Sequence, residues 1–307
     1  MTVTSKQGVP VEIGLVDLFD GSVERDTGFM AAFGRTAERL GFSGIWLPEH
    51  IMFFDEYTSA YPYPEAPSAD DPDRVERHNK TVDGKPRVEA AADQGLLDVL
   101  QAAAEVCHAT TRLRIGSSVL LLPLRNPRML ARELMTLGEL TDGRFDLGVG
   151  VGWSAEEFAA CETDFKTRGR RCGDDLAELG RLWEDAAEIY PERPPALPRM
   201  LVGGHSAAAL RRAAEVATGW YPWNLTMPQF AEHHATYGEL LDAAGRDRAD
   251  QHVVAGLRFT GDFAALPDIV ARYAEIGADG VNISLRMEVD SYADTMAAVA
   301  DALELAA

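Results

Sequence analysis

The chain has little from which to build a covalent or metal framework. Three cysteines occur among 307 residues, Cys107, Cys161 and Cys172; none forms a C-x-x-C pair and none clusters with histidines at ligand spacing. This argues against a disulfide scaffold or a structural zinc, and no metal site is expected. Long apolar runs are missing too: none reaches the roughly 18 residues of a membrane-spanning helix. The polar stretch at 1–10 has no signal-peptide hydrophobic region, so a cytoplasmic protein without membrane contact is expected. Basic residues are scarce, 29 Lys and Arg against 49 Asp and Glu, for a net charge of −20. Such a surface is well solvated and repels phosphate backbones, so nucleic acid is not expected as a partner. No G-x-G-x-x-G follows the first apolar segment, which argues against an open dinucleotide-binding sheet.

What is present is alternation. Apolar, strand-like segments at 11–19, 44–51, 113–123, 145–153, 199–203, 219–223, 253–259 and 280–287 are each followed by a segment of helical periodicity. The helices are expected at 26–40, 94–109, from Asn126-Pro127 onward with Leu130, Leu134, Leu137 and Leu140, and at 174–189, 206–217, 227–244, 266–276 and 291–305. Short apolar strands alternating with helices imply a parallel sheet buried on both faces. Eight such units in a chain of this length predict a closed (β/α)8 TIM barrel, one domain over 1–307. One stretch departs from the pattern. Residues 52–93 are rich in Tyr, Pro and Asp and read as a long insertion, or lid, after the second strand.

In such a barrel the chemistry sits where strands end. The second strand ends in Pro48-Glu49-His50, the fourth in Gly150-Val151-Gly152-Trp153, the fifth in Gly203-Gly204-His205-Ser206 and the sixth in Tyr221-Pro222-Trp223-Asn224. His50 is the sharpest candidate for moving a proton near neutral pH; the plainer reading is a structural histidine bonded to Glu49. Gly203–Ser206 ahead of a helix can cradle an anion on free N–H groups, or can be an ordinary turn with Ser206 as helix cap. Arg168, Arg170 and Arg171 can hold a phosphate or carboxylate, or can be a solvated helix start that opposes the helix dipole. Gly148, Gly150 and Gly152 turn one face of bare backbone toward something. Trp220, Tyr221 and Trp223 pack on a planar ring or in the core. His233 and His234 read as surface or core, and Cys107 as an apolar filler.

These motifs together resemble the bacterial-luciferase-like superfamily, and within it the coenzyme F420-dependent oxidoreductases. The stretches GFSGIWLPEH and LRIGSSVLLLPLRNPRMLARELMTLGELTDGRFDLGVGVGW, with the following EEF…RGRR…LW, carry the resemblance over nearly the whole chain. It implies a hydride-transferring enzyme in which His50 lies over the redox face of the cofactor and assists proton transfer, with Glu49 as an acidic cofactor contact. Ser118–Val119 would be a non-prolyl cis peptide forming a bulge behind the ring. Gly150, Val151 and Gly152 would let the cofactor approach strand four, Gly203, Gly204, His205 and Ser206 would cradle its phosphate, and Arg168 would lie near that phosphate. Phe54 matches a tryptophan that seats the ring, and with Trp153 and Trp223 it would meet the substrate. Trp153 also stands where sugar-phosphate dehydrogenases of the superfamily carry a catalytic glutamate, which argues against that reaction.

The resemblance leaves open an FMN-dependent monooxygenase that uses O2 and reduced flavin from a partner reductase. A non-catalytic flavin-binding barrel is the third reading. The oligoglutamate tail of F420 calls for basic residues at the site, and a small organic molecule is the expected substrate. The superfamily suggests a homodimer.

Overall fold

In the computed structural model, eight parallel strands close on themselves and carry helices on their outer face. The structure describes residues 10–16, 26–54, 57–62, 96–185, 195–285 and 287–306, with Asp73 and short backbone pieces between 65 and 86. The barrel strands are β1 Glu12–Val16, β2 Gly44–Leu47, β3 Arg114–Ser117, β4 Phe145–Gly150, β5 Met200–Gly203, β6 Gly219–Tyr221, β7 His252–Arg258 and β8 Gly280–Ser284. Each pairs in parallel with its neighbour in sequence, and β8 pairs with β1 to close the ring. The helices are α1 Thr27–Arg39, α2 Val99–Ala109, α3 Pro127–Thr141, α4 Ala155–Ala160, α5 Arg168–Glu184, α6 Ala207–Val216, α7 Met227–Ala243, α8 Leu266–Ile276 and α9 Tyr292–Ala302. No helix among the described residues is long and apolar enough to cross a membrane.

The expected alternation is therefore present, with local differences. The first strand was expected to reach 19; positions 17–19 lie outside the described residues. The third was expected to be continuous, but it breaks after Ser117 and resumes at Leu120–Leu121. Gly116 pairs with Asp146 and Leu120 with Val149. Three residues on β3 thus face two on β4, a β-bulge that bends the strand at its exit. Helix α5 begins at Arg168, six residues before the expected 174, with no side-chain cap. On α3, Leu130, Leu134 and Leu137 are buried as the periodicity predicts, but Leu140 is 63% exposed and Thr141 is fully buried in its place. At 100° per residue, position 141 returns to within ~20° of Leu130, whereas 140 lies ~80° away. Of the insertion at 52–93, short antiparallel pairs at Glu65–Pro67 with Val75–Arg77 and at Thr81–Val82 with Lys85–Pro86 are described.

Two kinds of filling occupy the barrel. At the N-terminal end, Arg199 bridges Asp146 (2.6 Å) and Glu12 (3.0 Å), and Arg114 also holds Asp146 (2.6 Å). Toward the C-terminal end, Trp46 stacks on Tyr221 with centroids 4.9 Å apart, packed with Val16, Leu201 and Val254. Glycines make room for this indole: a Cβ on Gly116 would stand 2.4 Å from the Trp46 ring, and one on Gly14 3.1 Å from it. The larger core lies between strands and helices, where α5 buries Cys172, Leu176, Leu179 and Leu182. Burying each such leucine contributes about 1.5–3 kcal/mol. Cys107 is 2% exposed on α2, and burial pushes its thiol up to about 11, as suits an inert filler.

Candidate active site

A cavity of about 880 Å³ opens at the C-terminal mouth of the barrel. That volume suits a cofactor-sized ligand. Of the site residues that the resemblance implies, all but Phe54 line it.

Its back wall is built on one side chain. The Ser118–Val119 peptide is cis, and Val119 projects where β4 and β5 end. A Cβ on Gly150 would lie 2.4 Å from Val119 Cγ2, and one on Gly203 3.1 Å from Cγ1. The two glycines are thus sockets for the two methyl groups. Gly150, Val151 and Gly152 line the cavity, while the Cβ directions of the β4 glycines are filled by protein: Gly148 faces the Ser117 carbonyl and Gly152, at φ +76°, faces Phe158. The cause is the bulge, which pushes residues 118 and 119 over the strand beside them. Behind it, the Ser118 and Tyr221 hydroxyls are hydrogen-bonded at 3.0 Å, and Asn282 Nδ2 donates to Tyr221 at 3.4 Å. Burial pushes the Tyr221 phenol up to about 12.

His50 faces the cavity, and its partner is Glu157 rather than Glu49. Nδ1 lies 3.1 Å from Glu157 Oε2, and the Ile51 and Met52 N–H groups donate to Oε1 at 2.5 and 3.3 Å. Successive residues of an extended segment point opposite ways. Glu49 also lines the cavity, but its carboxylate points away from the His50 ring, accepts from the Leu121 N–H (2.6 Å) and pairs with Arg125. Burial pushes the Glu49 carboxyl up while Arg125 pulls it down. The Glu49 carboxylate, expected as a cofactor contact, thus stands at the cavity wall held by Arg125 and the backbone.

The opposite end of the cavity is polar and basic. Ser206 caps α6 by accepting from the Ala209 N–H at 3.2 Å. Gly204 takes φ +93°, a region glycine occupies without cost, and its N–H donates to the Tyr221 carbonyl at 3.2 Å. Trp220, fully buried against Phe230, donates its indole N–H to the Gly204 carbonyl at 2.7 Å. This indole is core and also fixes the turn. His205 lies 5.6 Å from His233; burial, then that neighbour, hold it below the usual imidazole range. His233, expected only as surface or core, thus backs the site.

Of the arginines expected here, Arg168 alone lines the cavity. It donates to the Gly152 carbonyl at 3.2 Å and lies 3.7 Å over the Phe165 ring. Partial burial lowers its pKa. Arg170 is exposed and pairs with Asp174. Lys166 and Arg212 join Arg168 in the lining, and Arg212 donates to the Gly169 carbonyl at 2.6 Å.

An aromatic wall stands beside His50. Trp153 meets its ring edge-on at 6.0 Å and packs on Tyr57 and Tyr61 at 5.0 and 5.6 Å. Glu156 fastens this loop by accepting from the Thr58 and Ser59 N–H groups at 2.6 and 3.0 Å. Phe54 was expected to seat a ring, but it packs on Tyr57 away from the lining, and Phe53 faces the cavity 5.5 Å from His50. Strict alternation from His50 would turn 54 in and 53 out; the chain instead bends at Ile51, where two successive N–H groups converge on Glu157 Oε1, and Phe53 takes the cavity side. Trp223 lines the far side and covers Gly256, where a Cβ would meet its ring at 2.3 Å.

Sequence reasoning missed Glu157, Lys166, Arg212 and Phe53. Arg212 was findable, since it lies on α6 less than two turns after the Gly203–Ser206 turn. Glu157 had no local signal, because its partner is 107 positions away.

A family model described as luciferase-like monooxygenase matches residues 80–262. An uncharacterized protein of Mycobacterium tuberculosis is 30% identical over 285 residues, 88% of this chain and 89% of its own. A second from that organism is 28% identical over 290 residues, covering 89% and 92%. The solved structure of the monooxygenase RslO1 from Streptomyces bottropensis superposes with TM-score 0.68 at 18% identity, covering 95% of this chain and 98% of its own. That of an F420-dependent secondary alcohol dehydrogenase, bound to an F420–acetone adduct, gives 0.67 at 14% identity, covering 95% and 99%. At such identities the two solved structures are alike in fold.

Proposed function

Because the chain belongs to the luciferase-like monooxygenase family, we propose that it is an oxidoreductase that transfers hydride between coenzyme F420 and a small organic substrate. The observation that carries this reading is Lys166, Arg168 and Arg212 lining one cavity with the Gly203–Ser206 turn, in a chain whose net charge is −20. Three cations gathered in an acidic protein fit a phosphodiester that continues into a carboxylate-bearing tail.

The donor set fits such a cofactor. The first N–H groups of α6 have no intrahelical partner and lie beside the turn. Arg168 and Arg212 would hold the phosphate, with Lys166 toward the tail. Val119, seated on Gly150 and Gly203, would back the ring system. When bound, F420 supplies or accepts a hydride at its C5. His50 then gives or takes the accompanying proton at the substrate oxygen, through its Nε2. Phe53, Tyr61 and Trp153 keep water from that proton and favour an apolar, flat substrate. Glu49 orients nothing in the cavity directly; with Arg125 it fixes the strand exit from which His50 projects.

Titration of the purified protein with F420 and with FMN, followed by fluorescence, tests the reading. Saturable F420 binding that weakens with added salt supports it. Tight binding of FMN without binding of F420 would overturn it and would favour a monooxygenase fed by a separate flavin reductase.

A further inference from the structure

Glu157 is buried to 1% exposure on a six-residue helix. A carboxylate taken so far from water is costly unless hydrogen bonds replace the lost solvent. The bonds that do so all come from the segment after β2: two backbone N–H groups on Oε1, and His50 Nδ1 at 3.1 Å from Oε2. Helix α4 is itself anchored, because Ser154 caps it through the Glu157 N–H at 3.1 Å and the next residue, Phe158, is fully buried.

We propose that Glu157 is a positioning residue that sets the tautomer of His50. An ionised carboxylate only accepts hydrogen bonds, so the nitrogen it faces, Nδ1, carries the hydrogen. A neutral imidazole then has its lone pair on Nε2, the nitrogen that Glu157 does not engage. Phe53 and Trp153 flank the ring at 5.5 and 6.0 Å and hold its plane. When Nε2 takes a proton, the cation formed lies against the Glu157 carboxylate; when Nε2 gives it back, both groups return to their starting state. The proposal rests on His50 being the proton-handling group, and it adds the residue that makes one nitrogen competent.

A purely structural Glu157 would pin Ile51 and Met52 whichever nitrogen of His50 is protonated. The two roles separate in Glu157→Gln. The two backbone N–H groups keep the amide oxygen on their side, so the amide NH2 faces His50 Nδ1 and donates to it. The tautomer then reverses, with hydrogen on Nε2.

The test is a two-bond 1H–15N correlation spectrum of the full chain with 15N-labelled histidine, without cofactor, at alkaline pH. His50 is identified as the signal lost in His50→Asn. The native protein is expected to show Nδ1 protonated and Nε2 bare, and Glu157→Gln the reverse. Turnover of the variant with F420 is expected to fall by about the 10²–10⁴ that a positioned acid–base group contributes, with F420 affinity kept. Protonated Nε2 in the native protein, or an unchanged tautomer in the variant, would overturn the proposal. The native spectrum decides even if the variant does not fold. Because it is read without cofactor, failure of F420 to bind leaves this test standing, and the two readings fail separately.

Discussion

The most demanding consequence of the site geometry concerns Gly150. In Gly150→Ala the new methyl would stand 2.4 Å from Val119 Cγ2, where ordinary contact is 3.4–4 Å. Val119 must then retreat by about 1 Å, and its one side-chain torsion gives it little room. Overpacking of this kind costs about 1–3 kcal/mol. Replacing glycine recovers about 0.4–1 kcal/mol through the unfolded chain, leaving a net loss of about 1–2 kcal/mol. With an unfolding entropy of about 2.1 cal/mol/K per residue, a chain of this length loses roughly 2–3 °C in Tm. The displaced methyl moves into the cavity, and pressing it back to admit the ring would cost a comparable further amount, about 1–2 kcal/mol, so that the F420 Kd rises about 5- to 30-fold. Thermal melts and fluorescence titration measure the two effects. Val119→Ala should relieve both, with a coupling on the order of 1 kcal/mol in the double-mutant cycle. A glycine kept only for cofactor approach would give weaker binding, an unchanged Tm and no rescue, and that outcome would refute the socket.

Three further outcomes are expected. His50→Ala should lower kcat by about 10²–10⁴ while F420 binds as before; unaltered turnover removes His50 from the reaction. Arg212→Ala forfeits a hydrogen bond to a charged group, about 1.5–3 kcal/mol, so the F420 Kd should rise roughly tenfold or more and depend less on salt. Binding of the tailless, phosphate-free deazaflavin should change little, and equal losses for both ligands would show that the residue only supports the fold. At the other end of the barrel, burial pushes the Glu12 carboxyl up, but the hydrogen bond to His252 and the Arg199 guanidinium outweigh it and hold it at about 2. The unfolded carboxyl titrates at about 4.3, so the folded state binds fewer protons. This group's contribution is full above about pH 4.5 and is lost as pH falls toward 2. Glu12→Gln should flatten the fall of Tm across that window, whereas an identical acid slope would sink the assignment.

The barrel was legible because each strand is a short apolar run and each helix repeats on its own period, both local properties. What was not local was misjudged. Leu140 continued an apparent leucine stripe, yet the helix seam passes through Thr141, a polar residue that local hydrophobicity discounts. The start of α5 was placed at the first amphipathic residue, although Arg168–Arg171 are already helical. Their charge opposes the dipole, and Thr167 at the cap position makes no side-chain capping bond. The third strand looked continuous through 113–123, because the bulge at Ser118–Val119 removes no apolar residue from the run.

The same distinction governs the site. Rim residues were legible one strand at a time, since each follows from where a strand ends. Their meaning required pairs. Gly150 and Gly203 stand on different strands, and only the shape of Val119 between them shows that both are small for one reason. Glu49 and His50 are neighbours that both line the cavity, but they are held by different partners, one by Arg125 and the other by Glu157. Phe53 and Phe54 exchange places because the chain bends between them and His50. Parity counted from His50 would send Phe54 in; the bend at Ile51, held by two N–H groups on Glu157, reverses it. A single buried carboxylate on α4 therefore orders the segment after β2 in two ways, through the ring of His50 and through the path of the chain. Separating these effects requires Glu157→Gln, which keeps the two backbone hydrogen bonds and alters only what His50 meets.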